Sequence, residues 1–135
     1  MKIYFDGGCR PNPGRMEVAA IAGGHLYRCA DAGFGTSEQA EWMALLHALD
    51  VAQAMGERDI ILLGDAMGVI NQAVNGAKCG SSALRDCRER FGEAVRAFDR
   101  VRLRYVKRSQ NLAGIALGQL RQGRRPIGMR KDERI

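Results

Sequence analysis

No apolar run in this 135-residue sequence approaches the roughly 20 residues that a membrane-spanning helix needs. The opening, Met1-Lys2-Ile3-Tyr4-Phe5-Asp6, meets a carboxylate too early for the apolar region of an export signal. A cytoplasmic protein without membrane contact is therefore expected. The four cysteines, at positions 9, 29, 79 and 87, form no CxxC pair, and there are only two histidines, His25 and His47. That excludes the usual structural zinc sites and leaves the cysteines as small apolar fillers. What is present is ordinary for one soluble domain: 46% hydrophobic and 27% charged residues, enough for a core and too short a chain for two.

The net charge is +6, unevenly spread. Residues 121–135 hold six basic and two acidic side chains, and residues 85–108 hold nine basic and four acidic. Two basic regions near the C-terminus point to a polyanion, above all nucleic acid, although a solvated surface has the same composition.

Periodicity gives the element order. Lys2 to Cys9 reads as a strand of β-formers, and Pro11-Asn12-Pro13-Gly14 as a turn. Val18–Ala22 and Leu26–Cys29, joined by Gly23-Gly24, complete an antiparallel meander. Apolar residues then recur at helical spacing from a Thr36 or Ser37 cap to Met55, where Gly56 stops the helix. The run Ile60-Ile61-Leu62-Leu63 is the kind of strand buried in a parallel sheet. Helices follow over 67–74 and 82–98, an alternating strand over 101–106, and a last helix over 112–120. The order βββ-α-β-α-α-β-α requires a crossover, hence an α/β fold with a mixed five-stranded sheet and helices on both faces. The domain is expected to span 1–121, with residues 122–135 as a mobile basic tail.

Three carboxylates sit where a carboxylate costs stability. Asp6 lies in the first apolar strand, Asp65 ends the buried one, and Glu41 stands between Ala40 and Trp42 in an apolar helix. Ligands of open sheets bind at the carboxyl ends of strands. Asp6 and Asp65 meet there if their strands are neighbours, and hard oxygen donors without His or Cys select magnesium or manganese. Each carboxylate singly is also compatible with surface placement or pairing to a distant arginine.

These residues carry a resemblance. Asp6-Gly7-Gly8-Cys9-Arg10-Pro11-Asn12-Pro13-Gly14 resembles the opening motif of type 1 ribonuclease H. Thr36 to Leu45, Leu62-Leu63-Gly64-Asp65 and Val106 to Asn111 resemble that family's helix start, strand-end aspartate and late loop, in the same order. The resemblance covers about residues 2 to 120. It implies a ribonuclease H-like fold and hydrolysis of the RNA strand of RNA–DNA hybrids, leaving 5′-phosphate ends. It also implies two divalent metals, magnesium or as a substitute manganese, held by four acidic residues. Asp6, Glu41 and Asp65 match three of these. It further implies substrate contacts from Gly8, Cys9, Arg10 and Asn12, with Arg108 as a phosphate-binding cation, in a protein acting as a monomer.

The sequence departs from the family pattern at the fourth acid, where Ile115 stands. Asn111, one helical turn earlier, either supplies a neutral oxygen to the metal shell, as a catalytic residue, or merely caps the last helix. The family's loop histidine is also missing. These departures leave a second possibility, a hybrid-binding module with weak or no turnover.

Overall fold

The computed structural model describes residues 1–133. Its elements are β1 (Lys2–Cys9), β2 (Gly14–Ala22), β3 (His25–Cys29), β4 (Phe34–Gly35), α1 (Ser37–Ala54), β5 (Asp59–Gly64), α2 (Met67–Val74), α3 (Ser82–Ala94), β6 (Arg100–Tyr105) and α4 (Leu112–Arg121). The main sheet runs β3-β2-β1-β5-β6. β1 pairs antiparallel with β2 and parallel with β5, and β5 pairs parallel with β6. The expected order holds, with one addition: the two-residue β4 pairs with the start of β2. The third helix is shorter than its pattern suggests, ending at Ala94 in a 3-10 turn over Val95–Ala97.

Alternation along β1 splits its side chains between two layers. Ile3 and Phe5 face the large core with Trp42, Leu45, Leu49 and Leu62. Tyr4 faces a smaller cluster with Ala19, Ala113 and Leu117. So α1 lies on one face of the sheet and α4 on the other. Asp6, two residues beyond Tyr4, is on the α4 face, at the end of the sheet where β5 also stops.

Close approach on the α1 face fixes the depth of that helix. A Cβ at Gly7 would collide with the carbonyl of Ala40, so only glycine lets α1 settle this near β1. The N-terminus of α1 is tied down twice. Thr36 Oγ1 accepts from the Gln39 N–H at 3.1 Å, and Asn12 Oδ1 accepts from the Ser37 N–H at 3.1 Å. Inside the core, Trp42 Nε1 donates to Gln72 Oε1 at 2.7 Å, and Gln72 donates on to Glu38 and to the Lys78 carbonyl. That network satisfies the buried polar atoms and locks α1 to α2.

The segment after α4 is not free. Pro126 is buried, the Ile127 N–H donates to Gln119 Oε1 at 2.8 Å, and the Leu26 N–H donates to the Gly128 carbonyl at 2.9 Å. Residues 124–128 of the expected basic tail thus make hydrogen bonds to α4 and β3. Their missing periodicity reflects a short return along the outer edge of β3, where single backbone pairs do the holding. Residues 134 and 135 lie outside the described residues.

Candidate metal centre

β1 and β5 run side by side, with Tyr4 opposite Leu63. Two residues further along each strand, the parallel register brings Asp6 beside Asp65. Glu41, on the second turn of α1, reaches the same place because Gly7 lets that helix in. One carboxylate oxygen from each of Asp6, Glu41 and Asp65 lies within 4.8 Å of the other two. They line a cavity of about 290 Å³.

The electrostatics of this cluster are unfavourable without a cation. Burial, and then the charges of Asp6 and Asp65, push the Glu41 carboxyl from 4.5 up to about 9, against a hydrogen bond from the Gly7 backbone that lowers it. Burial, and then Asp65, raise Asp6 from 3.8 to about 6, against a hydrogen bond with the Glu41 side chain and the charges of Arg121 and Arg108, which lower it. Glu41 Oε2 is buried with no hydrogen-bond partner among the described residues. An orphaned carboxylate oxygen facing two more carboxylates is a strong demand for a positive charge. Among the described residues, the cation that meets Asp65 is Arg108, its Nε at 3.6 Å, from a side chain that is 94% exposed. Such a solvated pair holds weakly.

The predicted substrate residues divide. Gly8, Cys9, Arg10 and Arg108 line the cavity. Cys9 does so mostly with backbone, since its Sγ is turned toward the Gly35 carbonyl at 3.5 Å and Asn12 Oδ1 at 3.6 Å. Asn12 is not in the wall; its side-chain oxygen is committed to the start of α1.

Asn111 is not in the wall either. It is fully buried; its Nδ2 donates to the Phe5 carbonyl at 2.9 Å and its Oδ1 accepts from the Ala113 N–H at 3.2 Å. The amide caps α4 with its oxygen and fastens that helix to β1 with its nitrogen, immediately before Asp6. Gly114 lines the cavity beside Asp6. A Cβ there would lie 3.4 Å from Asp6 Oδ2. Ile115 is half-buried and does not line the cavity.

Ser37, Gly114 and Arg121 line the cavity without having been expected there. A signal for Arg121 was available. It stands seven residues after Gly114, two helical turns on, and so shares its face. Neither histidine enters the site; His47 Nε2 contacts the Tyr27 carbonyl at 3.1 Å, on the far part of α1.

Comparison with known proteins agrees with this geometry. Residues 5–120 match the family model described as reverse transcriptase-like. A curated ribonuclease HI of Halobacterium salinarum is 35% identical over 119 residues, covering 84% of this chain; the chain spans 60% of that relative's length. The crystal structure of RNase H1 from Halobacterium salinarum superposes with a TM-score of 0.80 at 31% identity, covering 90% of this chain and 97% of that one. An N-terminal RNase H domain from Mycobacterium tuberculosis shares the fold, with a TM-score of 0.68 at 23% identity over 83% of this chain and 90% of that one. So does LC11-RNase H1, solved in complex with an RNA/DNA hybrid, at 0.70 and 21% over 82% and 87% of the two chains. The chain belongs to the reverse transcriptase-like family and has the ribonuclease H fold.

Proposed function

We propose that this protein is a divalent-metal-dependent endoribonuclease that hydrolyses the RNA strand of RNA–DNA hybrids. One observation carries the reading. Three carboxylates from three separate elements converge where parallel strands end, and one of them presents a buried oxygen with no partner among the described residues.

The donor set fits magnesium or manganese: carboxylate oxygens only, with no nitrogen or sulfur ligand among them. Bound between Asp6, Glu41 and Asp65, such ions supply Lewis-acid activation of water and neutralise the scissile phosphate. The chain's own residues do the rest. Asp6 and Asp65 fix the spacing of the ligands through the strand register. Glu41 closes the site from the other face of the sheet. Gly8 leaves backbone open to the sugar edge of RNA, where the 2′-hydroxyl distinguishes it from DNA. Arg108, weakly held by Asp65, turns to a substrate phosphate. Asn111 holds α4 against β1 through the Phe5 carbonyl and acts as a structural cap. Asp6, Glu41 and Asp65 all come from one chain, which supports a monomer. Among the described residues all four cysteines are free thiols, which suits the cytoplasm.

The test is a duplex panel. End-labelled RNA–DNA hybrid, RNA duplex, DNA duplex and single-stranded RNA are incubated with magnesium or manganese. The reading expects internal cleavage of RNA in the hybrid alone, with 5′-phosphate products. Cleavage of all RNA forms alike contradicts it, as does hybrid binding without turnover in either metal.

A further inference from the structure

Beyond the carboxylates, the cavity opens into a second depression lined by Arg10, Arg15, Glu17, Ala30 and Arg121, and the two share Arg10 and Arg121. Strand register explains this. Gly8 pairs directly with Glu17 across β1 and β2. Having no side chain, Gly8 leaves a channel on the α4 face, and Arg121 crosses it: its Nη2 would lie 3.0 Å from a Cβ at position 8. Glu17 Oε1 takes the Nε and Nη2 of Arg121, each at 3.0 Å, from side chains 28% and 25% exposed.

This pairing grips one edge of the guanidinium and leaves Nη1 without a partner among the described residues. An arginine so held is preorganised, because the entropy of fixing its long side chain is already spent in the free protein. Arg10 is exposed and makes no ion pair among the described residues. Arg15 is only loosely met by Asp31, at 3.8 Å. Three cations around one depression, against one carboxylate that is itself engaged in orienting one of them, make a site for an anion.

We propose that Arg10, Arg15 and Arg121 form a second phosphate subsite, contiguous with the carboxylate site, that holds the phosphodiester next to the scissile one on the cut RNA strand. The proposal rests on the ribonuclease reading above and adds a specific contact to it. Its consequence is division of labour. The carboxylates do the chemistry, while the arginine subsite fixes which phosphate of the strand lies over them. Ion-pair anchoring of α4 by Glu17 is the alternative role for Arg121.

The experiment measures hybrid binding without divalent metal, from 50 to 200 mM salt, together with steady-state cleavage in magnesium. Arg10→Gln, Arg121→Gln, Arg121→Lys and the double Arg10→Gln/Arg121→Gln variant are compared with the parent. Arg96→Gln, on the opposite face, controls for net charge. Each loss of a contacting arginine should weaken binding about tenfold and reduce the slope of log affinity against log salt by about one. For Arg10→Gln, KM should rise by a larger factor than kcat falls. A methylphosphonate, which removes one phosphate charge, is then walked along each strand. In the parent, neutralising the phosphate next to the cut on the RNA strand should weaken binding, and in the double variant that sensitivity should vanish.

A salt slope equal to the parent's in Arg10→Gln and the double variant overturns the proposal. So does a methylphosphonate effect confined to the DNA strand, or one identical in parent and double variant. Arg10 is exposed, so its variant reports even where Arg121→Gln fails to fold. A parent that binds no hybrid at all refutes the ribonuclease reading itself and is distinguishable from these results.

Discussion

Replacing Glu41 by glutamine should stabilise the metal-free protein at alkaline pH, and the size of the effect follows from the site. Burial and two neighbouring carboxylates raise Glu41 from 4.5 to about 9. Between those values the folded protein keeps a proton that the unfolded chain has released. Stability is then fully present below the unfolded value and is lost as pH rises toward the folded one. One retained proton makes the slope about 1.4 kcal/mol per pH unit. Asp6, raised to about 6, no longer contributes to the slope above neutrality. From pH 7 to 9 the parent should therefore lose about 2–3 kcal/mol, or roughly 5–10 °C in Tm. Glu41→Gln should show a nearly flat curve over that range and melt above the parent at pH 9. Magnesium or manganese should close the gap by raising the parent, because a ligand of the folded state adds to its stability. Thermal melts at several pH values, with and without metal, read all of this. Parallel curves for parent and variant would mean that Glu41 is solvated and unstrained, and would refute the electrostatic account of the site.

Three further outcomes test the scaffold. Gly7→Ala places a Cβ against the Ala40 carbonyl; it should cost about 3 kcal/mol or more and, in whatever remains folded, abolish metal binding by moving Glu41 away, as followed by melts and manganese titration. Asn111→Ala removes the α4 cap and leaves the Phe5 carbonyl unpaired; a loss of about 2–4 kcal/mol with activity per folded molecule largely retained identifies it as a structural cap, whereas metal affinity falling at unchanged stability would make it a ligand. Gly128→Ala meets the Leu26 nitrogen at 2.9 Å from a backbone of φ +79; it should undock the C-terminal segment, seen as faster amide exchange at Leu26, with the global melt lowered by about 1 kcal/mol or less.

Much of the architecture was readable because short-range patterns and long-range packing agree. The alternation of β1, the Thr36 cap, Gly56 and the run Ile60 to Leu63 each name one element and nothing competes with them. β4 was hidden because two residues give no period; Phe34 and Gly35 are a strand only by pairing with Arg15 and Gly14. The third helix was read too long because Val95 and Phe98 keep an apolar spacing through a tightened turn. Among the site residues, the three carboxylates were legible as isolated charges in apolar segments. Asn111 was ambiguous in the sequence, since an amide suits a cap and a ligand equally; its fully buried contacts with Phe5 and Ala113 exist only once α4 lies on β1. Arg121 looked like the first residue of a basic tail. Its role depends on Gly8 facing Glu17 across two strands, a relation that helix spacing alone does not contain.

The central claim is that Asp6, Glu41 and Asp65 together hold the metal on which RNA cleavage depends. The direct measurement is the rate of RNA-strand cleavage in a hybrid as a function of magnesium concentration, for the parent and for Asp65→Asn, each normalised to folded protein. The account predicts no cleavage by the parent in chelator, saturable activation by magnesium, and no cleavage by Asp65→Asn at any concentration, with its melting temperature equal to or above that of the metal-free parent. Cleavage that persists in chelator, or an Asp65→Asn protein that cuts like the parent, would contradict it.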